Sequence, residues 1–205
     1  MYLIIFFIIL FLLSSCTTKI NYGYFEMYAN AIFKERINVD EEFIRSSDYS
    51  FIKVRYKRNE ATLVLASAKD GVMEWVGADF VTIKTKNGII IETSGLPSNI
   101  SYFPKDISYQ LTKINNFSDF YLYLYIDNPE LIHTRIDFKL ADKELNQINH
   151  GGLKKLTEKI IYEKNSDSIG WKVNDILYFK DGRVIKSVQE LSPLTGKIYL
   201  EFYYK

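Results

Sequence analysis

The sequence predicts a mainly β protein: a large antiparallel meander curled into a half-barrel or sandwich, with one N-terminal helix packed on it. Three observations carry this. Apolar and polar residues alternate at period two over one segment after another. Asp-Gly, Asn-Gly and Gly-Gly pairs separate those segments, as tight hairpin turns require. Aromatics make up 16% of the 205 residues against 10 Gly and 4 Pro, which favours pleated sheet over disorder.

Composition also narrows the function. The length fits one domain with a real core. Lys and Arg number 26 against 25 Asp and Glu, so there is no basic footprint for nucleic acid. A single Cys rules out an intramolecular disulfide and any CxxC site, and two His rule out a His-rich metal site. No cofactor or metal is expected.

Residues 2–13, YLIIFFIILFLL, form the longest apolar run. It is too short to span a bilayer, which takes ~20 residues, but has the length of a signal-peptide core. Leu13-Ser14-Ser15-Cys16 then fits the bacterial lipobox, with small residues at the cut and a thiol to be acylated. The n-region is Met1 alone, so only the terminal amine supplies positive charge. The other reading is a short apolar anchor with an incidental Cys.

The domain expectation is therefore a lipoprotein signal peptide at 1–15 and a single lipid-anchored β domain at 16–205. Acyl chains at ~0.8 kcal/mol per buried CH₂ would hold Cys16 at the membrane. Thr17 lacks the Asp that tends to retain lipoproteins at the inner membrane. The expected location is thus the outer membrane, facing the periplasm.

Residues 22–36 place Tyr24, Met27, Tyr28, Ala31 and Ile32 at helical spacing, with Lys34 and Arg36 in the last turn. This stripe packs on the sheet or, on a second reading, lies on the membrane beside the anchor. From residue 49 the period changes to two. Residues 50–57 set Phe51, Lys53, Arg55 and Lys57 against Ile52, Val54 and Tyr56. Residues 61–68 follow as a strand, and 73–85 read as one further strand bent at Gly77-Ala78-Asp79. Residues 89–93 return after the Asn87-Gly88 turn, and 94–104 read as a loop. Residues 117–126, 131–140, 153–163, 171–180, 183–191 and 197–204 complete about ten strands.

Candidate contacts to a glycan or an acyl chain are aromatic. Tyr121, Tyr123 and Tyr125 share one face of their strand, and Tyr199 and Tyr203 are placed on a parallel or neighbouring row. Such a row offers flat amphipathic surface, although cross-strand packing is the ordinary use of tyrosine pairs. Trp75 and Trp171 are stacking candidates whose ordinary use is as core or rim anchors. His133 and His150 stand alone, with no GxSxG or HExxH motif and no free Cys nucleophile, so no catalytic residue is assigned. Asp40, Glu41 and Glu42 cluster after the helix, and Asp137 and Asp142 lie near a strand; all read as solvated carboxylates. Lys53, Arg55 and Lys57 read as a solvated face, or as a contact for acidic polysaccharide or lipid phosphate.

Two stretches carry a resemblance. Residues 73–96 contain Trp75, Asp79, Thr85, Gly88 and Thr93, and residues 177–191 contain Asp181, Gly182, Val184, Ser187 and Gln189. Their order and spacing resemble the YjbF/GfcB family of bacterial lipoproteins, found with exopolysaccharide and group 4 capsule genes. Ile89 stands where the family usually has Arg. The resemblance implies a non-enzymatic part in assembling or exporting surface polysaccharide, by binding export proteins or the glycan. The alternative is a periplasmic carrier that holds a lipid or acyl chain in a half-barrel cavity.

Overall fold

The computed structural model describes residues 41–77, 81–103 and 118–205. The signal peptide, Cys16, the helix at 22–36, Asp40 and Asp79 lie outside these residues.

The described chain opens with one helical turn, α1 (Glu41–Ser46), so Glu41 and Glu42 begin a helix. Twelve strands follow: β1 (Phe51–Tyr56), β2 (Asn59–Lys69), β3 (Val72–Val76), β4 (Thr82–Lys86), β5 (Ile89–Ser94) and β6 (Ile100–Phe103). They continue as β7 (Phe120–Asp127), β8 (Glu130–His150), β9 (Leu153–Ser166), β10 (Trp171–Lys180), β11 (Arg183–Glu190) and β12 (Lys197–Tyr203). Each pairs antiparallel with its sequence neighbours, and β1 also pairs with β12, from Phe51↔Tyr203 to Tyr56↔Ile198. The sheet is therefore a closed barrel, not the half-barrel or sandwich expected. Closure removes the free edge that an open sheet would leave to other chains.

Two strands more than expected arise at identifiable places. Residues 73–85 are not one bent strand but the β3–β4 hairpin, with Trp75 opposite Ile83 and Gly77 N–H donating to Val81 C=O at 2.9 Å. A Cβ at Gly77 would come within 3.1 Å of Leu63, which favours glycine at this reversal. The interval read as a loop contains β6, which meets β5 at one pair, Glu92↔Ser101. Side chains reinforce both sides of this short strand: Ile100 N–H donates to Thr93 Oγ1 of β5 at 3.0 Å, and Asn99, just before β6, binds Asp127 of β7 through its backbone N–H at 2.7 Å and Nδ2 at 2.8 Å.

The barrel interior is lined by apolar side chains. Ile52, Leu63, Trp75, Leu122, Phe138, Tyr162, Leu177 and Leu200 are all buried in one cluster. Gln189 spans from β11 to the β4–β5 turn, so opposite walls touch.

β8 and β9 outrun their neighbours. β7 pairs with β8 only as far as Phe138, and β10 pairs with β9 only from Glu158, so the distal part of the hairpin is a two-stranded arm. Its tip returns to the barrel. His150 Nε2 lies 3.0 Å from Phe202 O, and the His150 ring stacks on Tyr203, which stacks on Phe51. Phe43 of α1 packs edge-on against Phe51, so the helix covers this end of the stack.

Candidate functional site

On β7 the alternation places Phe120, Leu122, Leu124 and Ile126 in the core, and Tyr121, Tyr123 and Tyr125 on the outer wall. The flanking strands supply their neighbours. β8 sets Asp137 beside Tyr121 and Arg135 beside Tyr123. β6 sets Ser101 beside Tyr125 and Phe103 beside Tyr123. Tyr121 and Tyr123 meet edge to face at 5.8 Å, and Phe103 meets Tyr125 likewise at 6.3 Å. Phe103 is 52% exposed, so the aromatic strip continues into solvent.

Arg135 organises the polar side of this strip. Its guanidinium carbon sits 4.4 Å above the Tyr121 ring. Nε and Nη2 both donate to Asp137 Oδ1, at 2.9 and 2.7 Å. His133 lies 6.5 Å from Tyr123. Flat rings bordered by a fixed guanidinium, a carboxylate and an imidazole can stack the C–H face of a sugar and hydrogen-bond its hydroxyls. The alternation revealed the three tyrosines. It did not reveal Phe103, Arg135 or His133 as their partners, because those come from strands whose register the sequence does not show.

The other aromatic candidates fall elsewhere. Trp75 is 0% exposed, with Nε1 donating to Thr85 Oγ1 at 2.9 Å and Phe202 packed edge-on at 5.8 Å. Trp171 is buried too, with Nε1 donating to Glu190 Oε1 at 3.3 Å and Lys164 Nζ 4.9 Å from its ring. Neither offers a face to a ligand: burying a large apolar ring and satisfying its N–H outweighs display at the surface. The expected neighbouring tyrosine row is also corrected, because β12 is separated from β7 by four strands. Tyr199 lies under Arg55 at 4.7 Å, and Tyr203 is locked in the His150 stack.

The basic side of β1 is engaged internally. Lys53 pairs with Glu60 at 3.2 Å, Arg55 covers Tyr199, and Lys57 lies 5.3 Å from the Tyr56 ring. Among the described residues no group of three His, Cys, Asp or Glu converges as a metal set. No described helix is long and apolar enough to cross a membrane.

The two motif stretches meet inside the barrel. Gln189 Nε2 donates to Gly88 O at 2.7 Å and to Ser187 Oγ at 2.9 Å, while Ile90 N–H donates to Gln189 Oε1 at 3.0 Å. Val184 packs against Gly88 so closely that a Cβ there would fall within 2.5 Å. The motif residues Trp75, Thr85, Gly88, Thr93, Val184, Ser187 and Gln189 therefore build the barrel interior and its turn.

A family model described as group 4 capsule polysaccharide lipoprotein GfcB, YjbF, matches residues 19–202. The chain belongs to the YjbF family. As a YjbF protein it is a lipoprotein linked to capsule polysaccharide. Among solved structures it is similar to the hypothetical lipoprotein YmcC from Escherichia coli K12, at 19% identity and a TM-score of 0.69, covering 87% of this chain and 94% of that one. The YjbF chain therefore shares the YmcC fold. A putative exported protein with a YmcC-like fold from Bacteroides fragilis aligns at 12% identity and a TM-score of 0.35, over 78% of this chain and 95% of that one. No curated protein matches the sequence.

Proposed function

We propose that this YjbF protein is a periplasm-facing outer-membrane lipoprotein, held by acylated Cys16, that assists capsule or exopolysaccharide assembly or export by binding the glycan without chemical conversion. The observation that carries the binding part is the outer strip of Tyr121, Tyr123, Tyr125 and Phe103 with Arg135 fixed over Tyr121. Stacking on such rings is worth ~0.5–1.5 kcal/mol per contact, so a strip gives weak, additive holding of a long polymer. That suits a chain that must move on. The lipid-carrier reading ranks second, because the apolar side chains inside the barrel pack on one another in a single buried cluster.

A second observation favours contact with an export protein as well. Leu145 and Leu156 are 70% and 62% exposed and stand diagonally on the outward side of the β8–β9 arm. Their side chains would be covered in a complex.

The test is a titration of the full chain, in neutral detergent, with exopolysaccharide fragments purified from the source strain. Replacing Tyr121, Tyr123 and Tyr125 together by Ser should weaken binding by at least about tenfold, since three stacking contacts are lost. Equal binding by the variant and the parent protein would remove the strip from the function.

A further inference from the structure

Outside the tyrosine strip, one cleft of about 460 Å³ lies between the arm and the β10–β11 turn, lined by Lys155, Lys180, Asp181, Arg183, Ile185 and Tyr204. Its volume falls in the range of small-molecule sites, ~300–1,000 Å³. Three cations face one carboxylate. Several cations elsewhere on the barrel are paired: Lys53 with Glu60, Lys84 with Glu92, Lys159 with Glu144, Lys172 with Glu163 and Lys186 with Glu201. Among the described residues, Lys155, Lys180 and Arg183 make no ion pair.

The cations are held in place. Asp181 and Gly182 both have positive φ, at 52° and 75°, the tight turn that sets Lys180 opposite Arg183 on one face of the hairpin. Arg183 extends over the Tyr204 ring, 5.7 Å from its centre. Lys155 comes from the arm, with Nζ 2.9 Å from His150 Nδ1. Phe202 O can only accept, so His150 carries its proton on Nε2 and leaves Nδ1 to accept from Lys155. Burial and the nearby Lys180 both push the Lys155 ammonium below its ordinary value. The repulsion between these two ammonium groups is what a bound anion would relieve.

The floor is apolar. Ile185 is 7% exposed, and the Tyr204 hydroxyl donates to Val184 O at 2.9 Å; the Tyr204 ring is backed by Phe202, stacked at 6.0 Å, and lines the cleft together with the Arg183 guanidinium above it. A bare inorganic ion would use the cations and waste the ring. An acidic sugar would use both, with its carboxylate on the cations and its C–H face on the ring.

We infer that this cleft binds a carboxylate-bearing saccharide unit, through Lys155, Lys180 and Arg183, with Tyr204 stacked beneath the sugar. This rests on the glycan-binding reading and names the class of glycan. The cleft confers acidic-sugar selectivity, and the tyrosine strip adds sequence-tolerant holding.

The test uses the full chain in neutral detergent, titrated by calorimetry with trigalacturonate, maltotriose and inorganic phosphate. Lys180→Glu/Arg183→Glu alters an exposed turn whose backbone does not depend on either side chain. Trigalacturonate should bind at least about tenfold more tightly than maltotriose, and the double variant should lose at least about tenfold, as charge-assisted bonds are removed. Lys155→Gln should weaken binding in the same direction, while Lys154→Gln, at an exposed neighbour on the arm outside the cleft, should leave trigalacturonate affinity unchanged. Equal affinity in the charge-reversed variant, or phosphate displacing trigalacturonate at equal concentration, would overturn the inference. Equal binding of acidic and neutral sugars that depends on the tyrosines alone would also overturn it, and would leave the glycan-binding reading standing. No binding of any saccharide, the source strain's own glycan included, would end both.

Discussion

Gln189 crosses the barrel to Gly88: its Nε2 donates to the Gly88 carbonyl at 2.7 Å, over 101 positions of sequence. The same side chain accepts from Ile90 N–H, so one amide satisfies a backbone carbonyl and a backbone N–H on the opposite wall. Removing it leaves both buried groups without that partner. Gln189→Leu should cost about 2–6 kcal/mol, at ~1–3 kcal/mol per unsatisfied group. Gly88→Ala attacks the same contact from the other side. The new Cβ would lie 2.5 Å from Val184, at a φ of +79° that side chains rarely adopt. It should destabilise by at least ~1–3 kcal/mol from overpacking. Urea unfolding midpoints check both; unchanged midpoints would show that the cross-wall contact contributes nothing.

Lys164 and Asp175 form an ion pair inside the barrel, 2.9 Å apart and each nearly inaccessible. Lys164 also donates to Glu190 O, and Asp175 Oδ1 accepts from Glu190 N–H at 3.1 Å. Burial raises the Asp175 carboxyl, and Lys164 opposes that shift. Lys164→Met strips the carboxylate of its counter-charge and should cost about 3–5 kcal/mol. Lys164→Met/Asp175→Leu removes both charges and should be the more stable of the two variants. A double variant no better than the single would mean that the pair is not energetically coupled.

The arm should loosen in acid. Burial, then the charge of Lys155, depress His150 below its ordinary 6.5, with Lys186 acting the same way and Glu201 and the Phe202 carbonyl opposing. The unfolded chain therefore takes up this proton at a higher pH than the folded one. The neutral ring's contribution is fully present above about pH 6.5 and is lost as pH falls through the lower folded value. Amide protection factors at the arm tip, taken relative to the intrinsic exchange rate at each pH, should fall over that interval, and His150→Gln should flatten the response. Exchange that is independent of pH-driven opening in the parent protein would refute the docking role.

Cys16→Ala should move the protein from the membrane fraction to the soluble periplasmic fraction, because a peripheral β domain has no comparable hold on the bilayer. Fractionation followed by immunoblotting reads this directly. A variant still in the membrane pellet after a high-salt wash would place the anchor elsewhere.

What the sequence by itself determined was local: the inward and outward faces of β1 and β7, and the turns at Asp70-Gly71, Asn87-Gly88 and Asp181-Gly182. A period of two is written in neighbouring residues, and a tight turn needs positive φ at one or two of them. Closure was not legible, because Phe51↔Tyr203 joins strands from opposite ends of the domain and alternation says nothing about partners. For the same reason the tyrosines were visible but Arg135 was not, and Trp75 was visible without its burial. The cleft belongs wholly to the tertiary structure. Lys155 and Lys180 are neighbours only because a hairpin longer than the barrel wall folds back and sets His150 on the carbonyl of Phe202.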